Sequence, residues 1–244
     1  MSALIFIVFV LAGIVKGVIG MGLPTVAVAL LGMLMAPQEA AAILVIPSLV
    51  TNLAQLLAGP RLGALSRRFG LLVAGIVAGT LLAAAAGATQ APAAAHALLG
   101  AALVAYAVLG LGQVRFAVDG ARERLLALPV GAATGAITAL TGVFVIPAVP
   151  FVQATGLEKD ELVQALGLCF TASTLALGAA LLWTGQFHAA LGWASVLAVA
   201  PAMLGMYLGQ LLRARISAAV FRRWFLLALL ASGVIFLVKY VRHA

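Results

Sequence analysis

The chain has 244 residues, of which 65% are hydrophobic and 8% are charged, and its net charge is +8. A soluble domain carries about 25% charged and about 45–50% apolar residues, so this chain has too little polar surface to cover a water-exposed fold. The composition excludes an ordinary soluble domain and predicts that lipid surrounds most of the surface. The basic residues then serve as orientation signals in short loops rather than as a nucleic-acid footprint.

A backbone inside a bilayer must satisfy its hydrogen bonds internally, which restricts spanning structures to helices and closed barrels. The apolar runs, such as 71–88, are rich in Ala and Leu and lack the period-2 alternation of barrel strands. They predict an all-α polytopic membrane protein with a single membrane domain over residues 1–244. The one cysteine, Cys169, excludes an internal disulfide and a multi-cysteine metal site. We interpret the amino-terminal run as a first helix rather than a cleaved signal peptide.

The predicted membrane segments follow one another with few interruptions. Apolar stretches cover residues 3–35, 40–59, 70–88, 93–112, 125–154, 162–184, 187–212 and 219–240. A helix needs roughly 20 residues to span a bilayer, so six of these stretches fit one helix each. The stretches at 3–35 and 125–154 are too long for one crossing and are interrupted by glycine and proline. Each predicts a broken helix or a helical hairpin, which gives roughly eight to ten membrane segments in all.

The two interrupted stretches resemble each other and occupy matching places. The first contains Gly13-IVK-Gly17-VI-Gly20-M-Gly22-L-Pro24, and the second contains Gly131-AAT-Gly135-AITALT-Gly142-VFVI-Pro147. Each is followed by a short polar break and then by three further transmembrane helices, the first of which carries a central Thr/Ser/Asn cluster. This pattern predicts an internal duplication, with repeat one at 1–112, a charged connecting loop at 113–124 and repeat two at 125–244.

Arginines concentrate in three loops. These are Arg61, Arg67 and Arg68; Arg115, Arg122 and Arg124; and Arg213, Arg215, Arg222 and Arg223. Positively charged loops stay in the cytoplasm, and all three share that side only if stretch 125–154 enters and leaves on the same side. The two repeats would then form an inverted repeat. A single crossing by 125–154 would instead place the 213–223 loop outside, against the rule.

Broken helices in matching places of an inverted repeat are the best sequence pointer to the binding site of a secondary transporter. A break frees backbone groups that a bound ion or substrate can satisfy, and helix N-termini suit an anion. Gly20, Gly22, Pro24, Thr141 and Gly142 favour such a break. The glycines spaced four residues apart favour close helix packing instead; they are Gly13, Gly17, Gly131 and Gly135.

Lys16 is the only lysine or arginine well inside an apolar stretch, and its counterpart in the second repeat is Thr134. A charge inside the membrane is costly and is a functional-site hypothesis by default, here a cationic anchor for an anionic substrate. The alternative is that the long side chain snorkels to the interface.

Polar side chains gather in the helix that follows each break, and they either line a substrate site or form interhelical hydrogen bonds worth about 0.6–2 kcal/mol each. The candidate substrate-binding residues are Lys16, Gly20, Gly22, Pro24, Thr25, Thr51, Asn52, Gln55, Thr134, Thr138, Thr141, Gly142, Ser173 and Thr174. The spans contain no nucleotide-binding loop, His-x-x-x-His pair or acidic cluster. We therefore expect no catalytic residues, no cofactor and no metal.

The glycine-rich opening of each half, the polar break and the Thr/Ser/Asn cluster resemble the TauE/SafE family of sulfite and organosulfur anion exporters, over essentially the whole chain. Gly13, Gly17, Gly20 and Gly22 match the opening motif of the family, whereas Leu23 and Pro24 stand where further glycines are common. In the second half, Thr138 and Thr141 replace glycines.

The resemblance implies a multi-pass permease of the plasma (inner) membrane. It would move a small anion such as sulfite, sulfoacetate or another sulfonate or carboxylate by alternating access around the two broken stretches. The resemblance leaves open a coupling proton or sodium ion and a homodimer. An uptake permease of the same fold and a non-transporting membrane scaffold subunit are the alternatives, and nucleic acid is not an expected partner.

Overall fold

The computed structural model describes residues 3–90, 92–112, 117–213 and 215–243, and these ranges contain helices and no strands. The helices are α1 (Ala3–Ile19), α2 (Leu23–Leu31), α3 (Pro37–Leu57), α4 (Leu62–Arg68), α5 (Gly70–Ala85), α6 (Pro92–Leu111), α7 (Gly120–Thr141), α8 (Ala148–Gln153), α9 (Lys159–Trp183), α10 (Ala189–Leu197), α11 (Val199–Arg213) and α12 (Ala218–His243). A single 3-10 turn, Ala88–Gln90, lies between α5 and α6.

Most of these helices have the length and composition of membrane spans. Five segments are long and apolar enough to cross a bilayer, and they are Pro37–Leu57, Gly120–Thr141, Lys159–Trp183, Ala189–Arg213 and Ala219–Arg242. The pair α4 and α5, bent by 65°, is a sixth candidate, and α1 and α6 provide shorter apolar helices. Large apolar side chains such as Leu57 and Leu82 are about 70% exposed on the outside (68% and 70%), which fits a lipid-facing surface. The chain is an all-α polytopic membrane protein, as its composition predicts.

Each interrupted stretch forms one long helix followed by a short one. In the first, Gly22 adopts a left-handed conformation (φ 102°) before α2, and a proline occupies the first turn of α2, where its missing N–H costs nothing. In the second, Gly142 (φ 71°) terminates α7, and its N–H bonds back to the carbonyl of Thr138, as glycine at a helix C-terminus commonly does.

Close backbone contact joins helices from different halves of the chain. Gly13 of α1 lies against Gly205 of α11, and Gly17 lies against Gly209, so α1 and α11 run parallel. The corresponding helices α7 and α5 are also parallel, because Gly131 lies against Gly75 and the following turns meet in the same order. The four-residue glycine spacing therefore forms helix-packing surfaces.

Two other pairs bring corresponding helices of the two halves together in antiparallel fashion. Gly178 of α9 lies against Val45 in the first half of α3, and Gly167 lies against Leu56 near its end. Likewise, α6 and α12 run in opposite directions with Gly100 against Gly233. Where these corresponding helices of the two halves meet, they therefore run in opposite directions.

The arginine-rich segments meet at one end of the bundle, here called the arginine end. Arg68 bonds the Glu123 carboxylate through two N–H groups, both at 2.8 Å, and donates to the Thr155 carbonyl at 3.0 Å. A second ion pair joins Arg61 to Glu161 at 2.7 Å. Glu123 lies in the first turn of α7 and Thr155 follows α8, so this hairpin begins and ends at the arginine end.

The third arginine-rich segment lies at the same end. Arg222 and Arg223 of α12 line a groove with Ala154, the residue next to Thr155. Arg115, which the sequence analysis places in the second arginine-rich loop, lies outside the described residues. In the part of the chain that is described, the arginine loops share one end. The sequence analysis expects this arrangement if stretch 125–154 enters and leaves on the same side.

The glycine contacts predict a steep response to added volume. In Gly75→Ala, the new methyl group would overlap the carbonyl oxygen of Leu128, so overpacking should destabilise the fold by about 1–3 kcal/mol. Thermal unfolding in detergent measures the effect. The control is Gly63→Ala in α4, where a Cβ meets nothing within 4 Å; equal losses in both variants would contradict the packing role.

Shared sidedness is tested by cysteine labelling with a membrane-impermeant maleimide in sealed vesicles. Arg67→Cys and Arg215→Cys should label from the same face, and His188→Cys, in the loop at the other end of α9, should label from the opposite face. The native Cys169 is fully buried, so it adds no background. Labelling of the two arginine positions from opposite faces would refute the shared end.

Candidate functional site

Lys16 lies in the last turn of α1 and is 4% exposed. Its ammonium donates a hydrogen bond to the hydroxyl oxygen of Thr51 at 3.0 Å and a second, very short one to the side-chain oxygen of Asn52. Both acceptors lie on α3. The side chain therefore points into the bundle and does not snorkel to the interface.

Asn52 connects this cation to the second half of the chain. Because its oxygen accepts from Lys16, its amide nitrogen faces α9, where it donates to the Thr174 hydroxyl at 3.2 Å. Thr174 in turn donates to the carbonyl of Phe170 at 2.7 Å. One buried hydrogen-bond chain thus joins α1, α3 and α9, and it unites four of the residues that the sequence analysis proposed.

Pro47 perturbs α3 one turn before this chain. A proline inside a helix removes a backbone hydrogen bond and its ring clashes with the preceding turn. Here the neighbouring Ile46 N–H donates to the Ser195 hydroxyl of α10 at 3.0 Å, while Thr51 donates to the Pro47 carbonyl at 2.8 Å. The side chain of Ser195 thus bonds the backbone of α3 directly before Pro47.

Several buried polar atoms have no hydrogen-bond partner among the described residues. They include the hydroxyls of Thr25, Ser48 and Ser173 and the side-chain oxygen of Gln55. Ser48 is four residues before Asn52 on the same face of α3, and Ser173 is adjacent to Thr174. A buried unsatisfied polar group costs about 1–3 kcal/mol, so these groups are suited to bonding a polar ligand.

The remaining candidates lie away from Lys16 or bond within their own helix. Thr134 and Thr138 donate to carbonyls four residues earlier in α7, at 2.8 and 2.7 Å. Thr141 caps the end of α7, accepting from the Val143 N–H at 3.1 Å. Gly142 packs against Ala41 at the start of α3, at the end of the bundle opposite the arginine end.

The turn of the first hairpin lies at the arginine end. Gly20 (φ 86°) and Gly22 form the tight turn after α1, and Pro24 is in the first turn of α2. Gly20 closes α1 by donating to the Lys16 carbonyl at 2.7 Å. The glycines of the two hairpins are therefore at opposite ends, and only the first turn adjoins Lys16.

The charge on Lys16 has no carboxylate counter-ion within the described ranges, where the ion pairs are Arg61–Glu161 and Arg68–Glu123. Burial of a charge is expensive unless it is paired. The two neutral oxygens of α3 bond two of the three ammonium protons, and an anion bound beside them would supply the missing charge. Among the described residues, no group of three His, Cys, Asp or Glu side chains could hold a metal ion.

The helical fold defines a polytopic membrane protein with a buried lysine in its interior. The sequence model of the family described as "Sulfite exporter TauE/SafE" matches residues 5–236, and the chain belongs to this family of membrane transporters. This confirms the family resemblance drawn from the glycine-rich openings. Comparison with curated proteins and with solved structures found no match.

Sequence reasoning missed Ser48 and Tyr106. The signal for Ser48 was its four-residue spacing from Asn52, which places both on one face of a helix. Tyr106 lies within an apolar run of α6 and is 7% exposed, and only its neighbours in space mark it as unusual.

Removal of one partner of the Lys16–Asn52 bond should reveal the cost of an uncompensated ammonium. Asn52→Leu leaves the cation with one acceptor fewer and should destabilise the protein by about 1.5–3 kcal/mol. Lys16→Met removes the buried charge but leaves the Asn52 oxygen without its donor, so it should destabilise the protein less than Asn52→Leu does. The double variant should recover most of the loss, as measured by chemical or thermal unfolding of all four proteins. Additive losses would contradict the coupling.

Proposed function

We propose that the chain is a secondary transporter of a small oxyanion, such as sulfite, sulfoacetate or another sulfonate or carboxylate, and that Lys16 anchors the anion. The observation that carries the proposal is the buried ammonium of Lys16, held by two neutral oxygens without a carboxylate. Membership of the sulfite exporter family supports the same chemistry.

The polar groups around Lys16 suit an oxyanion. The ammonium has three donors. A bound anion would replace the Asn52 oxygen as the acceptor of one of them. The buried hydroxyls of Ser48 and Ser173 are donors without an internal acceptor. A charge-assisted hydrogen bond from Lys16 and neutral bonds from the hydroxyls would replace part of the hydration that the anion loses.

Alternating access would follow from an inverted repeat. The parallel pairs α1–α11 and α7–α5 and the antiparallel pairs α3–α9 and α6–α12 support two halves, 1–112 and 125–244, exchanged by an axis in the membrane plane. In transporters built this way, one bundle rocks against another around a fixed site. The Asn52–Thr174 bond crosses between the halves beside Lys16, where such a motion would be felt.

The two ion pairs at the arginine end join repeat one to α9 and to the first turn of α7. Opening at that end would require Arg61 and Arg68 to leave Glu161 and Glu123. Partly exposed ion pairs are worth about 0–1 kcal/mol each, so they would bias the closed state without locking it. We place the arginine end in the cytoplasm of a plasma-membrane protein by the positive-inside rule. The coupled gradients, including a proton or sodium gradient if one is used, would set the direction.

A non-transporting scaffold is the second candidate. The close glycine contacts of α1 with α11 and of α5 with α7 favour it, since a scaffold would need packing surfaces and no mobile site. A scaffold does not account for a buried ammonium that has no carboxylate partner among the described residues. Such a charge would not help a bundle whose only role is to pack its helices.

Proteoliposome flux distinguishes the two. Wild-type protein should carry sulfite or sulfoacetate down a gradient, and Lys16→Met should reduce kcat/KM by about 10- to 100-fold, because a charge-assisted bond of about 1.5–3 kcal/mol is lost. Lys16→Arg should retain part of the flux. The matched control is Lys239→Met near the far end of α12. Absence of flux, together with absence of anion-dependent thermal stabilisation for sulfite, sulfonates and dicarboxylates, would favour the scaffold.

A further inference from the structure

A large groove opens at the arginine end between α6, α8 and α12. Its volume is about 1100 Å³. The last turn of α6, the end of α8 and the first turns of α12 form its walls, and its polar side chains are Tyr106, Gln153, Arg222 and Arg223. None of the described lining residues is acidic. The groove is therefore a concave surface of one charge sign.

Tyr106 gives this groove a buried donor. The residue is 7% exposed, and its hydroxyl donates to the sulfur of Met21 at 3.5 Å. A thioether is a weak acceptor, whereas a buried tyrosine hydroxyl usually finds a strong partner. The Tyr106 hydroxyl is thus a good donor bonded to a poor acceptor, at the inner wall of a basic groove.

A thin layer of side chains separates this wall from the Lys16 region. Tyr106 packs edge-on against Phe225 with 6.5 Å between ring centroids. Phe225 lies against Gly22, in the tight turn after α1. Met21 belongs to the same turn, which is joined to the last turn of α1 by the Gly20–Lys16 backbone bond. The groove therefore reaches within one layer of the helix turn that carries Lys16.

We propose that this groove is a second anion-binding site, at which a small oxyanion is loaded from the arginine end. Arg222 and Arg223 attract the anion, and the Tyr106 hydroxyl exchanges the Met21 sulfur for an anion oxygen. Tyr106, Met21 and Phe225 form the barrier between this site and Lys16. The assignment of the oxyanion as cargo rests on the proposed transport function; the binding site itself does not.

The walls explain why a small anion fits. A cleft lined by charges of one sign raises the local concentration of the opposite ion by about 10–10³-fold, and the gain falls with ionic strength. Two arginines and one hydroxyl supply several donors for the oxygens of one oxyanion. The headgroup of an anionic lipid offers similar chemistry, so the experiment must distinguish the two sources.

The transport arm uses sulfite in phosphatidylcholine liposomes with oriented protein. Arg222→Gln/Arg223→Gln should raise KM for sulfite added at the arginine end by about tenfold at low salt, and the difference should shrink at high salt. The KM measured from the opposite end should not change. Arg213→Gln/Arg215→Gln removes the same charge at the same end outside the groove and should leave both values unchanged. Equal effects of the two double variants would overturn the site.

The Tyr106→Phe variant tests the inner donor. It retains the ring contact with Phe225 and removes only the hydroxyl, so it should reduce sulfite loading from the arginine end without loss of thermal stability. Unchanged loading would remove Tyr106 from the proposal.

The binding arm works without transport. In phosphatidylcholine nanodiscs, sulfite should raise the thermal midpoint of Lys16→Met, which lacks the inner anchor. Combination with Arg222→Gln/Arg223→Gln should abolish this shift. A shift that persists in the combined variant, or one that is absent from Lys16→Met, would overturn the groove as an anion site.

A final comparison adds phosphatidylglycerol to the nanodiscs. Weak competition with sulfite agrees with a site for small anions. If the arginine variants change only the retention of phosphatidylglycerol and never the response to sulfite, the groove binds a lipid headgroup and the proposal is wrong. If Lys16→Met loses sulfite flux but sulfite still raises its thermal midpoint, only the inner site has been lost and the groove still binds the anion. The two measurements therefore report on the two sites separately.

Discussion

The buried ammonium of Lys16 imposes the strongest physical demand on this bundle. A charge in a low-dielectric interior must be surrounded by oxygens, and α3 supplies two of them through Thr51 and Asn52. The tight turn at Gly20 and Gly22 ends α1 directly after the lysine, and Pro47 disturbs α3 one turn before its acceptors. The local irregularities of both helices thus gather around one cation.

Helix packing divides the bundle into blocks that mix the two halves. The glycine contacts hold α1 to α11 and α5 to α7 at backbone distance, so each block contains a helix from either half and is expected to move as a unit. In contrast, α3 and α9 share hydrogen bonds between side chains beside the cation. Side-chain bonds exchange partners more easily than interlocked backbones separate, so the polar chain is where the proposed transport motion would rearrange contacts.

Charge is distributed unequally between the two ends. Both ion pairs and the basic groove lie at the arginine end. At the opposite end Gly142 packs against Ala41, α3 begins with Glu39 in its first turn, and the last turns of α12 carry Lys239 and Arg242. An anion approaching from the arginine end would therefore meet a favourable potential before it meets a barrier. The same arginines that would set the orientation of the chain under the positive-inside rule would then serve a second purpose in loading.

The sequence alone determined the membrane-embedded helical class, predicted an interruption in each of the stretches 3–35 and 125–154, and singled out Lys16, Thr51 and Asn52 as candidate site residues. These features follow from local composition, because a single charge in an apolar run is conspicuous. The tertiary structure alone decided that Asn52 meets Thr174, that the glycines of the two hairpins lie at opposite ends, and that Tyr106 faces a basic groove. Those contacts join residues up to 122 positions apart, and helix register and crossing geometry, which set them, leave no mark in local composition.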